Sequence, residues 1–434
     1  MSPLSLLVLV LLSNFWAAAT AVRSSTLHLA RSHSVSPDVG APITTWAASL
    51  AAQSAADAAR VTMLAAGPAH AKKGHSFVPI APGWQILNIP NYVARARLGT
   101  PAQTLLVAID PSNDAAWVPC SACTGCASGP SFSPTQSATY LPVSCGSPQC
   151  SQVPSPSCPG GAGSSCAFNL TYAASTFQAL LGQDSLALEN DAIASYTFGC
   201  LHVITGTSLP PQGLIGFGRG PLSFLSQTKD VYGSVFSYCL PNYKSSNFSG
   251  TLKLGPIGQP KKIKTTPLLY NPRRPSLYYV NMVGIRVGGK PVPVPASALA
   301  FDLVSGSGTI IDAGTMFTRL SAPVYTAVRD AFRRRVRAPV AGPLGGFDTC
   351  YNVTITVPTI TFAFAGPVTV TLPEENVMIH SSSGGIACLA MAAGPPDGVN
   401  AALNVLASMQ QQNHRVLFDV ANSRVGFSRE LCTA

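Results

Sequence analysis

Charged side chains are scarce in this chain of 434 residues: they make up 10% of it, and only 17 are Asp or Glu. Gly and Pro are abundant, at 37 residues each, and hydrophobic residues account for 47%. So few charges and so many turn-forming residues do not suit a bundle of long helices; they are typical of short strands joined by turns. The length is sufficient for a large core and for two lobes.

Long apolar runs are lacking beyond the N-terminus. Residues 4–16 form one such run, too short to predict a membrane span, and the small-x-small sequence Ala19-Thr20-Ala21 follows it. We therefore predict a secretory signal peptide over residues 1–21, although it has no basic segment, and no stable membrane span. Residues 22–85 are rich in Ala, Ser and His and contain no Cys, so we interpret them as a propeptide or spacer with a helical section over 46–66.

The excess of basic residues does not form a nucleic-acid-binding pattern. The formal net charge is +10, but Lys and Arg are scattered apart from a cluster between Arg333 and Arg337. That cluster follows Val324–Phe332, a segment with the pattern of an amphipathic helix. We interpret the cluster as a solvated helix end and predict no nucleic-acid partner.

No His lies among the clustered cysteines between Cys120 and Cys166, which argues against a zinc site. The spacing of Cys120, Cys123 and Cys126 leaves a metal or redox centre as an alternative. A secreted chain with 12 Cys favours up to six disulfides instead, and we predict no metal and no cofactor. Spacing alone does not determine the connectivity, although Cys350 and Cys388 are a candidate pair.

Two apolar strands each deliver one Asp into a tight turn, one in each half of the chain. Leu105–Ile109 leads into Asp110, and Thr309–Ile311 leads into Asp312. The repetition predicts two duplicated lobes whose turns face each other. Two carboxylates at one site share a proton, so the charged one can activate water while the protonated one polarises a carbonyl. Such a pair hydrolyses an amide without a metal or a covalent nucleophile. The alternative is that both are ordinary turn residues.

The remaining segments predict strands, turns and one insert. Residues 125–163 have the composition of a surface loop stapled by disulfides, and 168–188 has the pattern of a hairpin. Gly213–Gly218 lacks the strand-helix context of a phosphate-binding loop, so we interpret it as a buried strand that passes close to other backbone. Residues 260–275 are predicted to cross from one lobe to the other.

The order of several motifs resembles that of plant pepsin-like aspartic proteases of the nepenthesin and chloroplast-nucleoid-protease type, over residues 91–432. The motifs are YVARARLGTPAQ before Asp110, WVPC at Trp117–Cys120, FGC at Phe198–Cys200, GLIGFGRGPLSFLSQ from Gly213, FSYCL at Phe236–Leu240, and QQQNHRVLFDVANSRVGFS near the end. The resemblance implies a mainly all-β, bilobal fold with pseudo-two-fold lobes and a central cleft. It places an N-terminal lobe with the Cys-rich insert at 86–265 and a C-terminal lobe at 266–434.

The same resemblance assigns the candidate site residues. Asp110 and Asp312 match the two catalytic aspartates of the family, and Tyr172 falls where its flap tyrosine lies, with a strand aromatic as the alternative. The residues expected to support the two turns are Ser112, Asn113, Gly314 and Thr315. The family also implies a prosegment that is removed on maturation.

Both turns depart from the family pattern Asp-Thr/Ser-Gly. They read Asp-Pro111-Ser112 and Asp-Ala313-Gly, so the two hydroxyls that tie each turn to the opposing loop in the family are missing. We expect the Cβ of Ser112 to shift the loop or to hinder substrate, because glycine is usual there. Two further departures are Ala407, which stands where a glycine is usual beneath the second turn, and the Ala-rich sequence after Tyr172.

These features predict a secreted aspartic endopeptidase that acts on protein or peptide substrates at acid pH, as a monomer. The expected location is the apoplast, with the vacuole or plastid as alternatives. Three sequons predict glycosylation, at Asn169, Asn247 and Asn352. The alternative function, favoured by the missing hydroxyls, is a catalytically weak or inactive pepsin-fold protein that binds or inhibits a partner.

Overall fold

The computed structural model describes residues 74–189, 191–381, 384–397 and 401–432. The predicted signal peptide, most of the predicted propeptide or spacer, and the expected helical section over 46–66 lie outside the described residues. Within them, strands dominate and helices are few and mostly short. This confirms the mainly β fold class.

Strands of the first half come mainly as antiparallel neighbours. They are β1 Ser76–Pro82, β2 Tyr92–Leu98, β3 Gln103–Asp110, β4 Trp117–Thr124, β5 Leu141–Pro142, β6 Pro156–Ser157, β7 Ala167–Tyr172, β8 Ser175–Leu188, β9 Asp191–Thr205, β10 Leu214–Gly216, β11 Val235–Cys239 and β12 Gly250–Leu254. Helices here are α1 Gly83–Leu87, α2 Phe224–Gln227 and α3 Lys229–Tyr232.

The second half contains the one long helix of the described residues. Its strands are β13 Lys264–Leu269, β14 Tyr279–Val280, β15 Met282–Val287, β16 Lys290–Pro291, β17 Gly308–Ile311, β18 Thr318–Leu320, β19 Cys350–Tyr351, β20 Ile360–Phe364, β21 Thr369–Thr371, β22 Met378–His380, β23 Ala387–Leu389, β24 Met391–Ala393, β25 Leu403–Leu406, β26 His414–Asp419 and β27 Arg424–Arg429. Its helices are α4 Ala296–Leu299, α5 Ala322–Val336 and α6 Ser408–Gln411.

An antiparallel series of strands joins the two halves, in the order β2, β1, β12, β11, β26, β27, β13. β1 lies inside the segment predicted to be propeptide or spacer, yet Ser76–Ile80 pairs with β12 and Ile80–Pro82 pairs with β2. That part of the segment therefore belongs to the folded body. The predicted crossover over 260–275 contains β13, so the lobe boundary expected between residues 265 and 266 falls inside a strand of this shared series.

Each lobe repeats one arrangement of four strands around its aspartate. In the first, β3 runs parallel to β10, β10 pairs antiparallel with β4, and β4 runs parallel to β9. In the second, β17 runs parallel to β25, β25 pairs antiparallel with β18, and β18 runs parallel to β24. The register repeats too, because Trp117 opposes Leu214 as Arg319 opposes Val405. The expected duplication is therefore present at the level of individual residue pairs.

Six disulfides link all twelve cysteines, and four of them lie within the first lobe. They are Cys120–Cys200, Cys123–Cys126, Cys145–Cys158, Cys150–Cys166, Cys239–Cys432 and Cys350–Cys388. Cys350 and Cys388 are thus joined. No cysteine is free, so every thiol that a metal site in the Cys-rich insert would require lies in a disulfide.

Helix α5 packs its apolar side against the core through Val324, Val328 and Phe332. Its last turn carries the predicted basic cluster, where Arg333 pairs with Asp348 at 3.5 Å. No helix among the described residues is both long and apolar enough to cross a membrane.

Candidate active site

The first carboxylate turn follows directly from the end of β3. Asp110 is 1% exposed, and both the N–H and the hydroxyl of Ser112 donate to its Oδ1, at 2.8 and 2.7 Å. Asn113 Nδ2 donates to Oδ2 at 2.7 Å. The Ser112 hydroxyl thus faces inward as a donor to the carboxylate, and the expected effect of its Cβ on the loop or on substrate stays a prediction.

The second turn follows β17 and repeats these positions. Asp312 is 5% exposed; Gly314 N–H donates to its Oδ1 at 2.8 Å, and Thr315 Oγ1 donates to its Oδ2 at 2.7 Å. From beneath, Gln411 Nε2 donates to the main-chain oxygen of Asp312 at 3.1 Å. In both lobes, then, the residue two positions after the aspartate supplies an N–H and the residue three positions after it supplies a side-chain donor.

The two turns meet, because Gly314 lies against the Asp110 carboxylate. A β carbon built on Gly314 would stand 2.7 Å from Asp110 Oδ1. Burial, and then the nearby charge of Asp110, raise the pKa of Asp312 to about 6, while the donors from Thr315 and Gly314 partly oppose this. At acid pH Asp312 therefore keeps its proton beside the Asp110 carboxylate, which accepts hydrogen bonds from Ser112 and Asn113.

The strands beneath the turns explain why glycine is needed on one side only. Gly216 pairs with Asp110 across β10 and β3, and a β carbon there would stand 2.4 Å from Asn113 O. Ala407 occupies the corresponding place under Asp312, fully buried, and its N–H donates to Thr318 Oγ1 at 3.0 Å. The departure at Ala407 is thus accommodated by local packing.

Asp114 is a structural residue that the sequence analysis missed. Its Oδ1 accepts from Gly220 N–H at 2.7 Å, and its Oδ2 accepts from the hydroxyl of Ser276. A β carbon on Gly218 would stand 2.3 Å from Asp114 Oδ1, which accounts for one glycine of the GFGRG segment. Asp114 therefore ties the first turn to this segment and to the chain that enters the second lobe.

The flap is the hairpin of β7 and β8, with its turn at Ala173, whose φ is 50°. Tyr172 packs edge-on against Trp117 at 5.8 Å between ring centroids, and its hydroxyl donates to Asp110 Oδ2 at 3.2 Å. Burial and the charge of Asp110 raise the pKa of Tyr172, so the phenol stays protonated and remains a donor. Tyr172 therefore reaches the carboxylate, which an aromatic residue confined to the sheet would not do.

A second missed residue, Asn91, lies directly before β2 and is 2% exposed. Its Nδ2 donates to the phenolic oxygen Oη of Tyr172 at 3.2 Å and to the main-chain oxygen of Gly314 at 3.4 Å. Nothing in the spacing of the sequence marks it, since its partners are 81 and 223 residues away.

The three predicted glycosylation sites all lie on the surface. Asn169 is on the flap strand β7, Asn247 lies in the loop before β12, and Asn352 follows β19; each side chain is exposed. All three are thus accessible to a modifying enzyme.

Two family models match most of the described chain. The model described as "Xylanase inhibitor N-terminal" matches residues 92–256, and "Xylanase inhibitor C-terminal" matches residues 277–429. The gap between the two matches contains β13, within the shared strands.

Curated relatives extend over nearly the whole sequence. "Aspartyl protease 25" of Oryza sativa subsp. japonica is 46% identical over 92% of this chain and 93% of its own. "Aspartyl protease AED3" of Arabidopsis thaliana is 50% identical over 87% of this chain and 84% of its own. "Aspartic proteinase nepenthesin-2" of Nepenthes gracilis is 33% identical over 79% and 78%.

Among solved structures, conglutin gamma, a basic 7S globulin from lupine seeds, aligns with a TM-score of 0.66 over 83% of this chain and 98% of its own. The sequence identity is 21%, so this similarity concerns the fold alone. It matches the expected bilobal architecture.

Proposed function

This chain belongs to the plant pepsin-like aspartyl proteases, as the order of its motifs predicted, and we propose that it is an aspartic endopeptidase working at acid pH through Asp110 and Asp312. The observation that carries the proposal is the meeting of the two turns. Gly314 lies against one carboxylate, and the other has a pKa raised to about 6 by burial and by its neighbour's charge. One proton is thus held by the pair over the acid range.

The two carboxylates have different roles, one as a base and the other as an acid. Donors from Ser112, Asn113 and Tyr172 orient the Asp110 carboxylate, and we assign Asp110 as the base that takes a proton from water. Asp312 gives its proton to the substrate carbonyl oxygen as that water attacks the carbon. Asp110 then passes the proton it took from water to the amide nitrogen, the carbon–nitrogen bond breaks, and a hydroxyl of the tetrahedral intermediate returns its proton to Asp312, so both carboxyl groups regain their starting states.

The testing experiment is hydrolysis of a denatured protein by the mature protein between about pH 3 and 6. Wild type is compared with an Asp110→Asn, Asp312→Asn double variant prepared in the same way. Activity that disappears in the double variant supports the proposal. Equal activity in both preparations, or no activity from a folded and fully processed wild type, contradicts it.

A non-catalytic binding role is the second candidate, and one observation favours it: neither Pro111 nor Ala313 carries the hydroxyl found in the family pattern. The two matching family models are described as xylanase inhibitor domains. On this alternative the folded protein would hold a protein partner without cleaving it. Inactivity of the mature wild type would make this candidate the leading one.

We also propose how the protein is secreted, modified and processed. Twelve paired cysteines and three exposed sequons support secretion to the apoplast, with vacuole or plastid as alternatives, after removal of a signal peptide over 1–21. We also propose glycosylation at the sequons, synthesis as a zymogen, action as a monomer on protein or peptide substrates, and no nucleic-acid partner. Intact mass and N-terminal sequencing of the extracellular protein test signal-peptide removal, glycosylation and synthesis as a zymogen together.

A further inference from the structure

The buried side chain of Asn91 lies where three parts of the site meet. It precedes β2 in the first half of the chain, whereas Gly314 belongs to the second carboxylate turn and Tyr172 to the flap. The amide nitrogen donates to the phenolic oxygen Oη of Tyr172 at 3.2 Å and to the main-chain oxygen of Gly314 at 3.4 Å. One 2% exposed amide therefore connects the flap to the turn that carries Asp312.

The direction of these hydrogen bonds follows from the chemistry of the partners. Gly314 O is a carbonyl and can only accept, so the nitrogen of the Asn91 amide must face it. The same nitrogen offers its second N–H to the oxygen of Tyr172. With that oxygen engaged as an acceptor, the phenolic hydrogen is directed at Asp110 Oδ2, 3.2 Å away. A directed chain thus runs from Asn91 through Tyr172 to Asp110.

This series of hydrogen bonds lies where the hydroxyl links usual in the family are absent. Pro111 has neither a hydroxyl nor an N–H, and Ala313 has no side-chain donor, so neither can bond to the opposing loop. The N–H groups of Asn91 reach across from the first lobe to the second turn instead. Orientation within a fraction of an ångström decides whether a pair of catalytic groups works, so a replacement link matters more for rate than for stability.

We propose that Asn91 is a positioning residue: by bonding Tyr172 and Gly314 it holds the flap tyrosine and the second turn against Asp110, in place of the missing hydroxyl links. The proposal rests on the proposed endopeptidase function. Asn91 acts through Tyr172 and Gly314 and has no direct contact with either carboxylate among its described hydrogen bonds.

Two variants separate positioning from the filling of space. Asn91→Asp has nearly the same size but, with a carboxyl in place of the amide, cannot donate to both partners; Asn91→Ala removes both donors and leaves a small cavity. If Asn91 positions the site, both variants lose about tenfold or more in kcat while KM stays within about twofold. If Asn91 only fills space, Asn91→Asp keeps the wild-type kcat and only Asn91→Ala is impaired.

A double-mutant cycle with Tyr172→Phe tests the path of the effect. Because Asn91 acts partly through the phenol, Asn91→Ala should cost at least threefold less in kcat in the Tyr172→Phe background than in wild type. Fully multiplicative losses would contradict the chain through Tyr172. Each kcat is divided by the concentration of competent sites, titrated with a peptide transition-state analogue, so that misfolded material does not count.

Asn271→Ala is the control matched for burial. Asn271 is fully buried and its side chain accepts from Arg273 N at 2.9 Å, so its removal lowers stability without touching the hydrogen bonds of Asn91. We expect its kcat per competent site to equal that of wild type. An inactive wild type overturns the proposed function and this inference together, whereas an active wild type with a fully active Asn91→Asp variant overturns only the inference.

Discussion

Gly314 lies directly against Asp110: a β carbon on Gly314 would stand 2.7 Å from Asp110 Oδ1 and 2.8 Å from Cγ. Gly314 is not in a left-handed conformation, so its backbone alone would tolerate another residue. Glycine is required there by the nearness of the opposing carboxylate. The contact joins the two halves of the site across 204 positions of sequence, from residue 110 to residue 314.

The variant Gly314→Ala should therefore separate the two turns and lose activity while it still folds. We expect kcat/KM at pH 4 to fall by about a hundredfold or more, because the pair is no longer held at the working distance. The control is Gly284→Ala, since a β carbon on Gly284 has nothing within 4 Å. Equal activity of the two variants would show that the turns tolerate separation.

Ser112→Gly distinguishes two views of the first turn. The Ser112 hydroxyl donates to Asp110 Oδ1 at 2.7 Å, so its removal should lower kcat/KM by about fivefold, although the N–H donor remains. Steric hindrance by the side chain would give the opposite result, a rise in kcat/KM. Steady-state kinetics on one peptide substrate decide between these signs.

Stability should depend on pH through Asp312. Its folded-state pKa, raised to about 6 by burial and by Asp110, exceeds the unfolded value of about 3.9, so the folded state loses stability as pH rises between these values. Asp312→Asn removes that loss. We expect its melting temperature to drop less than that of wild type between pH 4 and pH 7, although its activity is abolished.

Asp302 is the control for that measurement, because its pKa is shifted in the opposite direction. Hydrogen bonds from the N–H and hydroxyl of Ser305 lower the pKa of the exposed Asp302, so Asp302→Asn should lose a stabilising interaction that is present above the unfolded pKa. A larger drop for Asp312→Asn than for wild type would contradict the assignment of the proton to Asp312. In wild type, activity should decline as pH rises through about 6, when the pair loses its shared proton.

Disulfides should stabilise the protein according to the length of chain that they close. Cys239–Cys432 closes 193 residues and Cys123–Cys126 closes 3. Replacing the first pair by Ala should lower the free energy of unfolding by about 3–5 kcal/mol, and replacing the second by roughly 2 kcal/mol or less. Urea unfolding without reductant measures both, and equal losses would refute the loop-length argument.

Maturation should leave β1 in place. Val78, Ile80 and Ala81 of this strand are at most 1% exposed, and the strand pairs on both sides, so its removal would open the shared sheet. We expect N-terminal sequencing of the mature protein to find a start at or before Ser76. In refolding, a chain that begins at Gly74 should recover activity and one that begins at Gly83 should not; recovery by both would place β1 outside the required fold.

Local pattern was sufficient to predict the class of fold and the two aspartates. Apolar strands that end in Asp110 and Asp312 recur with the same offsets in both halves, and an apolar run followed by turn residues is a property of neighbouring positions. The hairpin expected over 168–188 was visible for the same reason, and the structure contains it as β7 and β8.

By itself, then, the sequence determined the strands and the duplicated turns, and its twelve cysteines predicted an oxidising compartment. Only the tertiary structure decided the five cysteine pairings other than Cys350–Cys388, the inward direction of the Ser112 hydroxyl, and the contacts of Asn91 and Asp114. The physical reason is distance along the chain: Asn91 meets Gly314 across 223 residues and Asp114 meets Ser276 across 162. No local periodicity encodes such contacts, because they form only when the whole sheet has brought the two lobes together.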